Sequence, residues 1–187
     1  TSGDFTGSLT CGVSEYAVTI ANSLSGSWTE NIIGSTYFVP SQGDQTFTSF
    51  PQGYNNDIVM TWTESQGACS GRTDAVSIRF NQPVVSGSMD TDSWTWGGLS
   101  NSTWTTGSNW YRWDGSKWLK QQVAYPDAGS RIYVLPTSDV CVSSTLNNAA
   151  SSLGDVNIQS GGSFDLGSTN TSITGNITND GTMQGGT

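Results

Sequence analysis

Residues 156–183 read VNIQSGGSFDLGSTNTSITGNITNDGTM, and the reading of this stretch decides the fold. Apolar side chains come in short pairs, Val156 with Ile158 and Phe164 with Leu166, followed by Ile173, Ile177 and Met183. Glycines at 161, 162, 167, 175 and 181, mixed with Asn and Asp, supply corners between them. Alternation with period two marks strands, but strands this short cannot bury an apolar pair alone. Each pair finds cover only when successive coils stack, which is the economy of a β-helix or β-solenoid. A two-sheet sandwich fits the same pattern, because the stretch is too short to establish a period.

Immediately upstream the texture changes. Six of the eight tryptophans, Trp94, Trp96, Trp104, Trp110, Trp113 and Trp118, fall within 25 residues and are separated by Gly, Ser, Thr and Asn. Two uses compete for them. Buried indoles would fill the first coil and seal its open end, and Trp94, Trp96, Trp104 and Trp110 are assigned to such a structural cap. Indoles left at the surface beside polar groups would stack on sugar rings. Trp113, Asp114, Lys117 and Trp118 are the candidates for carbohydrate contact.

Residues 1–83 carry a second, shorter-range pattern. Tyr16, Val18 and Ile20 alternate with Ala17 and Thr19; Ile58, Met60 and Trp62 with Val59 and Thr61; Val76, Ile78 and Phe80 with Ser77 and Arg79. Turn-rich segments, SQGDQ, FPQGYNND and ESQGACSGRTD, separate them. Half-buried strands at this spacing indicate a sandwich, and the order Cys11, Trp28, Cys69 matches an immunoglobulin-type core pin. Cys11 and Cys69 share this compositional unit and are paired as a disulfide, which leaves Cys141 as a buried free thiol. The alternative is three reduced cysteines buried as small hydrophobes. Pro83 and Gly87 interrupt regular structure, so residues 84–93 read as a linker before a second module over 94–187. The expected fold is thus all-β, an Ig-like sandwich followed by a β-helix-like segment.

Composition narrows the function classes. Serine, threonine and glycine supply 76 of 187 residues, charged side chains only 11%. Two lysines and no sustained i, i+3, i+4 apolar stripe rule out an all-helical fold. The formal charge of −9 repels phosphate backbones and anionic headgroups, so nucleic acid is not an expected partner. No apolar run reaches membrane-spanning length. With no histidine, Ser-His-Asp and Cys-His chemistry is excluded and the usual zinc and copper sites lose their main ligand. Few charges, many hydroxyls and a disulfide point to an oxidising, extracellular compartment.

An enzyme built from this chain would have to use carboxylates, and Glu30, Glu64, Asp114 and Asp127 are available for that task. None stands in a recognisable acid–base arrangement, and lyase chemistry would also require a base among only six Lys and Arg. No enzymatic activity and no cofactor are expected. Asp90 and Asp92 in MDTDS, and Asn55, Asn56 and Asp57, offer oxygen donors of the kind Ca²⁺ takes, but they match no calcium loop, and turn chemistry accounts for them without an ion. Asn101, Asn170 and Asn176 open N-x-S/T triplets that matter only in a cell that glycosylates asparagine.

Two stretches carry a resemblance. SGSWTE at 25–30 and MTWTESQGACSGRTDAVSIRF at 60–80 are similar to the PKD-like and Ig-like modules of large secreted and surface proteins of Bacteroidetes, with Trp62, Cys69, Asp74, Val76, Ile78 and Phe80 on the matching positions. SWTWGGLSNSTWTTGSNWYRWDG at 93–115 resembles the element that opens β-helical segments in the same proteins, through Trp96, Gly98, Ser100, Trp104, Asn109 and Trp110. Pro126, Arg131, Val134 and the apolar and glycine positions of 156–183 continue the likeness. The connection RWDGSKWLKQQVAYPDAGSR, 112–131, is longer and more aromatic than the family pattern. The resemblance implies a non-enzymatic stalk or presentation module of a cell-surface or secreted adhesin, exported by type IX secretion. Its partners would be neighbouring modules of the same polypeptide, surface polysaccharide, or secretion and anchoring proteins. The competing expectation is a carbohydrate-binding module attached to a polysaccharide-degrading enzyme. The closing GTMQGGT falls within what would be a further coil, so a longer parent polypeptide is expected.

Overall fold

A computed structural model describes residues 6–13, 15–18, 25–30, 45–48, 57–65, 68 and 70–185. They are all-β: seventeen short strands, a 3₁₀ turn at Gly107–Asn109 and no α-helix among the described residues. No helix among them is long and apolar enough to cross a membrane. The chain divides into two compact units, with the changeover between Asn81 and Gln82.

In the first unit, β1 (Thr6–Leu9) runs parallel to β6 (Thr73–Phe80), and β6 is antiparallel to β5 (Asp57–Glu64), which is antiparallel to β3 (Gly26–Glu30). A separate antiparallel pair joins β2 (Glu15–Val18) to β4 (Gln45–Thr48). The period-two reading holds on the central strands. Met60 and Trp62 on β5, and Val76, Ile78 and Phe80 on β6, are buried, with alternate residues more exposed. Trp28 and Trp62 are direct cross-strand partners whose rings meet at 5.4 Å. Gly26 makes room for them: a Cβ there would lie 2.3 Å from the Thr63 carbonyl and 2.5 Å from the Trp62 ring. Ile20 lies outside the described residues.

The second unit is organised by parallel rows. Its strands are β7 (Trp94–Trp96), β8 (Trp110–Trp113), β9 (Trp118–Lys120), β10 (Ile132–Val134), β11 (Leu146–Asn147), β12 (Ser152–Leu153), β13 (Val156–Ile158), β14 (Ser163–Asp165), β15 (Ser172–Ile173), β16 (Ile177–Asn179) and β17 (Thr182–Gln184). Strands β7, β10, β13 and β16 form one parallel row, with Trp94 beside Ile132, Ile132 beside Val156 and Val156 beside Ile177. The hairpin strands β8 and β9 extend that sheet antiparallel beyond β7. A second row stacks β11, β14 and β17, and a third stacks β12 and β15. From β10 onward the chain returns to each row about every twenty residues. Ile132, Val134, Leu146, Leu153, Val156, Ile158 and Phe164 turn inward into one core with Trp94, Trp96, Trp104 and Trp110, and Leu166, Ile173 and Met183 pack on it.

Two expectations change. Residues 84–93 do not hang free as a linker, because they are tied to the second unit: the Val84 amide donates to Asp139 Oδ2 at 3.0 Å, Val85 is buried, and Asp90 pairs with Arg131. The cysteine reading also changes. Cys141 is disulfide-bonded, as is Cys11, so Cys141 is not the free thiol expected; Cys69 lies outside the described residues. A disulfide selects cysteines by proximity in the folded chain, to which position within a compositional segment is a poor guide.

Candidate functional site

The tryptophans separate into two groups. Trp110, fully buried on β8, is the hub of the first: its ring lies 5.0 Å from Trp96, 4.8 Å from Trp104 and 6.4 Å from Trp94, all edge-on. Such tilted contacts bring the positive ring edge to the negative face. Their N–H groups are mostly satisfied as well: Trp110 donates to the Trp104 carbonyl at 2.7 Å, Trp96 to Ser144 at 3.1 Å and Trp104 to Pro126 at 3.3 Å. Asn109 locks the loop that carries them. Its Oδ1 accepts the amides of Ser100 and Asn101, and its Nδ2 donates to Asn101 Oδ1 and the Thr103 carbonyl.

Trp113 and Trp118 form the second group, as cross-strand partners on β8 and β9 with rings 5.4 Å apart. Both are buried, Trp118 completely. Neither therefore presents a free face on which a sugar could stack, which corrects the expectation for these two residues. Asp114, between them, is taken up by its own turn: Oδ1 accepts the Ser116 amide and hydroxyl and the Lys117 amide, with Gly115 at φ +101°. Burial pushes its carboxyl up, but those hydrogen bonds and the Lys117 charge outweigh it and hold the group below its usual range.

A groove of about 640 Å³ lies elsewhere on this unit. Its lining includes Asp92, Arg112, Tyr125, Asp127, Arg131 and Asp155, together with Gly129, Gly154 and Gly175. On one side Arg112 Nη2 donates to Asp92 Oδ1 at 2.7 Å while its guanidinium sits 5.7 Å above the Trp94 ring. Asp92 holds φ +69°, the one left-handed non-glycine among the described residues. On the other side Arg131 donates from Nε to Asp155 Oδ2 at 2.8 Å and reaches Asp90 with its other arm. The Asn176 amide and then Arg131 hold the Asp155 carboxyl below its usual range.

The other sites weighed from sequence stay apart. Glu30 and Glu64 lie at opposite ends of the β3–β5 pairing, and Asp127, in the groove, accepts the Ser130 hydroxyl at 2.8 Å. Asp90 and Asp92 are engaged by arginines, and among the described residues no group of three or more acidic, Cys or His side chains could hold a metal. Asn55 and Asn56 lie outside the described residues. Tyr125, Arg112, Arg131 and Asp155 went unassigned in the sequence. For Arg112, Tyr125 and Arg131 the signal was the atypical 112–131 connection, whose two ends, and not the Trp113–Trp118 stretch between them, line the groove; Asp155 carried none.

The chain matches no family model, no curated protein and no solved structure.

Proposed function

We propose that the chain is a non-enzymatic structural module, an Ig-like sandwich followed by the opening coils of a β-helix, serving as a stalk or presentation segment of a bacterial cell-surface or secreted adhesin. The observation that carries this reading is the set of parallel rows that the chain revisits about every twenty residues, each adding a small inward pair such as Val156 and Ile158 to one core. Such a stack lengthens by repetition, which is what a stalk requires. The acidic, hydroxyl-rich composition supports solubility of an extended surface, and the disulfide supports an oxidising compartment. Export by type IX secretion and a Bacteroidetes source rest on the motif resemblance of 25–30, 60–80 and 93–115.

The test is the size and location of the native polypeptide. Antibody raised against residues 1–187 should detect, on a reducing denaturing gel of surface-sheared and secreted fractions, a band far above 19.8 kDa. A band at that mass, or one confined to the cell interior, overturns the stalk reading.

A further inference from the structure

Tyr125 is 43% exposed, although every tryptophan of this unit is buried. It stands on a ridge between two depressions. The 640 Å³ groove lies on one side, and a smaller one of about 250 Å³, lined by Trp104, Thr105, Ala150 and Ser152, lies on the other; Tyr125, Asp127 and Ala128 border both. An exposed aromatic ring with hollows on both sides suits a ligand that is itself extended, crossing the ring and continuing into each hollow.

The larger hollow specifies the chemistry of that ligand. Both of its arginines are already paired, Arg112 with Asp92 and Arg131 with Asp90 and Asp155. A guanidinium–carboxylate pair offers outward N–H donors and carboxylate lone pairs together, which suits vicinal hydroxyls that both donate and accept. Asp127 adds an acceptor, so carboxylates outnumber arginines around the groove and an anionic polymer would be repelled. Gly129, with nothing within 4 Å of an added Cβ, leaves its stretch of the lining open, whereas Gly154 and Gly175 close tightly on their neighbours, a Cβ at Gly154 standing 2.4 Å from the Gly129 carbonyl and one at Gly175 2.2 Å from Asp155 Oδ1. The volume falls in the range of about 300–1,000 Å³ usual for small-ligand sites.

We propose that the paired depressions astride Tyr125 bind a neutral oligosaccharide chain, one sugar stacking on the Tyr125 ring and its neighbours hydrogen-bonding to the Arg112–Asp92 and Arg131–Asp155 pairs. The site is distinct from Trp113 and Trp118 and does not depend on the stalk reading, whose test is polypeptide size.

Isothermal titration of the full 187-residue chain with cellohexaose, laminarihexaose and mannohexaose, with the corresponding disaccharides, and with hexagalacturonate tests it. At least one neutral hexasaccharide should bind saturably and about tenfold more tightly than its disaccharide, and hexagalacturonate should not bind. Tyr125→Ala should weaken binding about tenfold, the equivalent of roughly 1.4 kcal/mol, while Tyr125→Phe stays within about threefold. Ala128→Arg, at an exposed position bordering both hollows, should abolish it. Melting temperatures of the three variants, read alongside, separate lost binding from lost folding. Absence of heat with all three neutral hexasaccharides, tighter binding of hexagalacturonate, or affinity unchanged in both Tyr125→Ala and Ala128→Arg overturns the proposal.

Discussion

Arg131 and Asp155 join neighbouring strands of the parallel row in the second unit: Arg131 Nε, just before β10, donates to Asp155 Oδ2, just before β13, at 2.8 Å. The second oxygen of Asp155 reaches one strand further and accepts the Asn176 amide at 2.8 Å, just before β16. One carboxylate thus ties three successive strands of the parallel row. Both side chains are about one-third exposed, so solvent screens the pair. Asp155→Asn keeps an acceptor for Asn176 and loses the ionic partner of Arg131, with an expected cost of about 1 kcal/mol.

The pH dependence of that cost has a definite sign. The native Asp155 carboxyl lies below its ordinary value, first through the Asn176 amide and then through Arg131. A depressed acid stabilises the fold above its unfolded pKa, about 4, and loses that contribution as pH falls through the native value. Urea denaturation should therefore give a wild-type advantage over Asp155→Asn that is full at pH 7 and shrinks steadily below about pH 4. An advantage that grew on acidification would contradict the assignment.

The Asn109–Trp110 step accounts for the aromatic motif around it. Asn109 is fully buried and uses both ends of its amide, and Trp110 contacts three other indoles. Trp110→Ala should cost about 4 kcal/mol by leaving an indole-sized cavity. Asn109→Asp replaces the Nδ2 donor with an oxygen facing Asn101 Oδ1 and the Thr103 carbonyl, and should cost about 2 kcal/mol at neutral pH. Because a protonated carboxyl regains one donor, the second loss should diminish in acid. Denaturation midpoints at pH 7 and pH 4 check both.

These residues also mark how far the sequence was legible. Strand alternation located β5, β6, β13 and β14, because each has one buried face and the side-chain period of a strand is two. Trp96, Trp104, Asn109 and Trp110 were singled out by the motif resemblance, and their contacts give those positions a physical role. The fate of Trp113 and Trp118 could not be read, since a strand and a sugar platform both need an aromatic beside Gly, Asp and Ser. Only the β8–β9 register, which sets the two indoles against each other, decides it. The groove was illegible for a related reason: Asp92, Arg112, Tyr125 and Asp155 come from four segments and meet only once the strands are in their rows.

The cysteines make a direct covalent prediction. Cys11 and Cys141 are each disulfide-bonded. Alkylation in denaturant without reductant should therefore label neither of them, and reduction should expose both. Label on Cys141 without reduction would restore the free thiol expected from the sequence. Reduction, or Cys141→Ser, should lower the denaturation midpoint by an amount corresponding to about 2–5 kcal/mol.

Two glycines that face each other at the groove should respond differently to the same substitution. Gly129 adopts φ +83° with nothing within 4 Å of an added Cβ, so Gly129→Ala meets only the backbone penalty of the left-handed region, about 1 kcal/mol. At Gly154 φ is unremarkable but the space is taken: an added Cβ would lie 2.4 Å from the Gly129 carbonyl oxygen and 3.2 Å from that of Ser130. The Gly154 amide also donates to the Ser130 carbonyl at 2.9 Å, so the 129–130 segment cannot retreat without stretching that bond. Gly154→Ala should cost about 2 kcal/mol. By pushing Gly129 away it should also disturb the groove lining. Denaturation of both variants, with cellohexaose, laminarihexaose and mannohexaose titrations of each, separates conformational strain from steric conflict. Equal losses at the two positions would mean that the close approach of Gly154 to Gly129 is not maintained in solution.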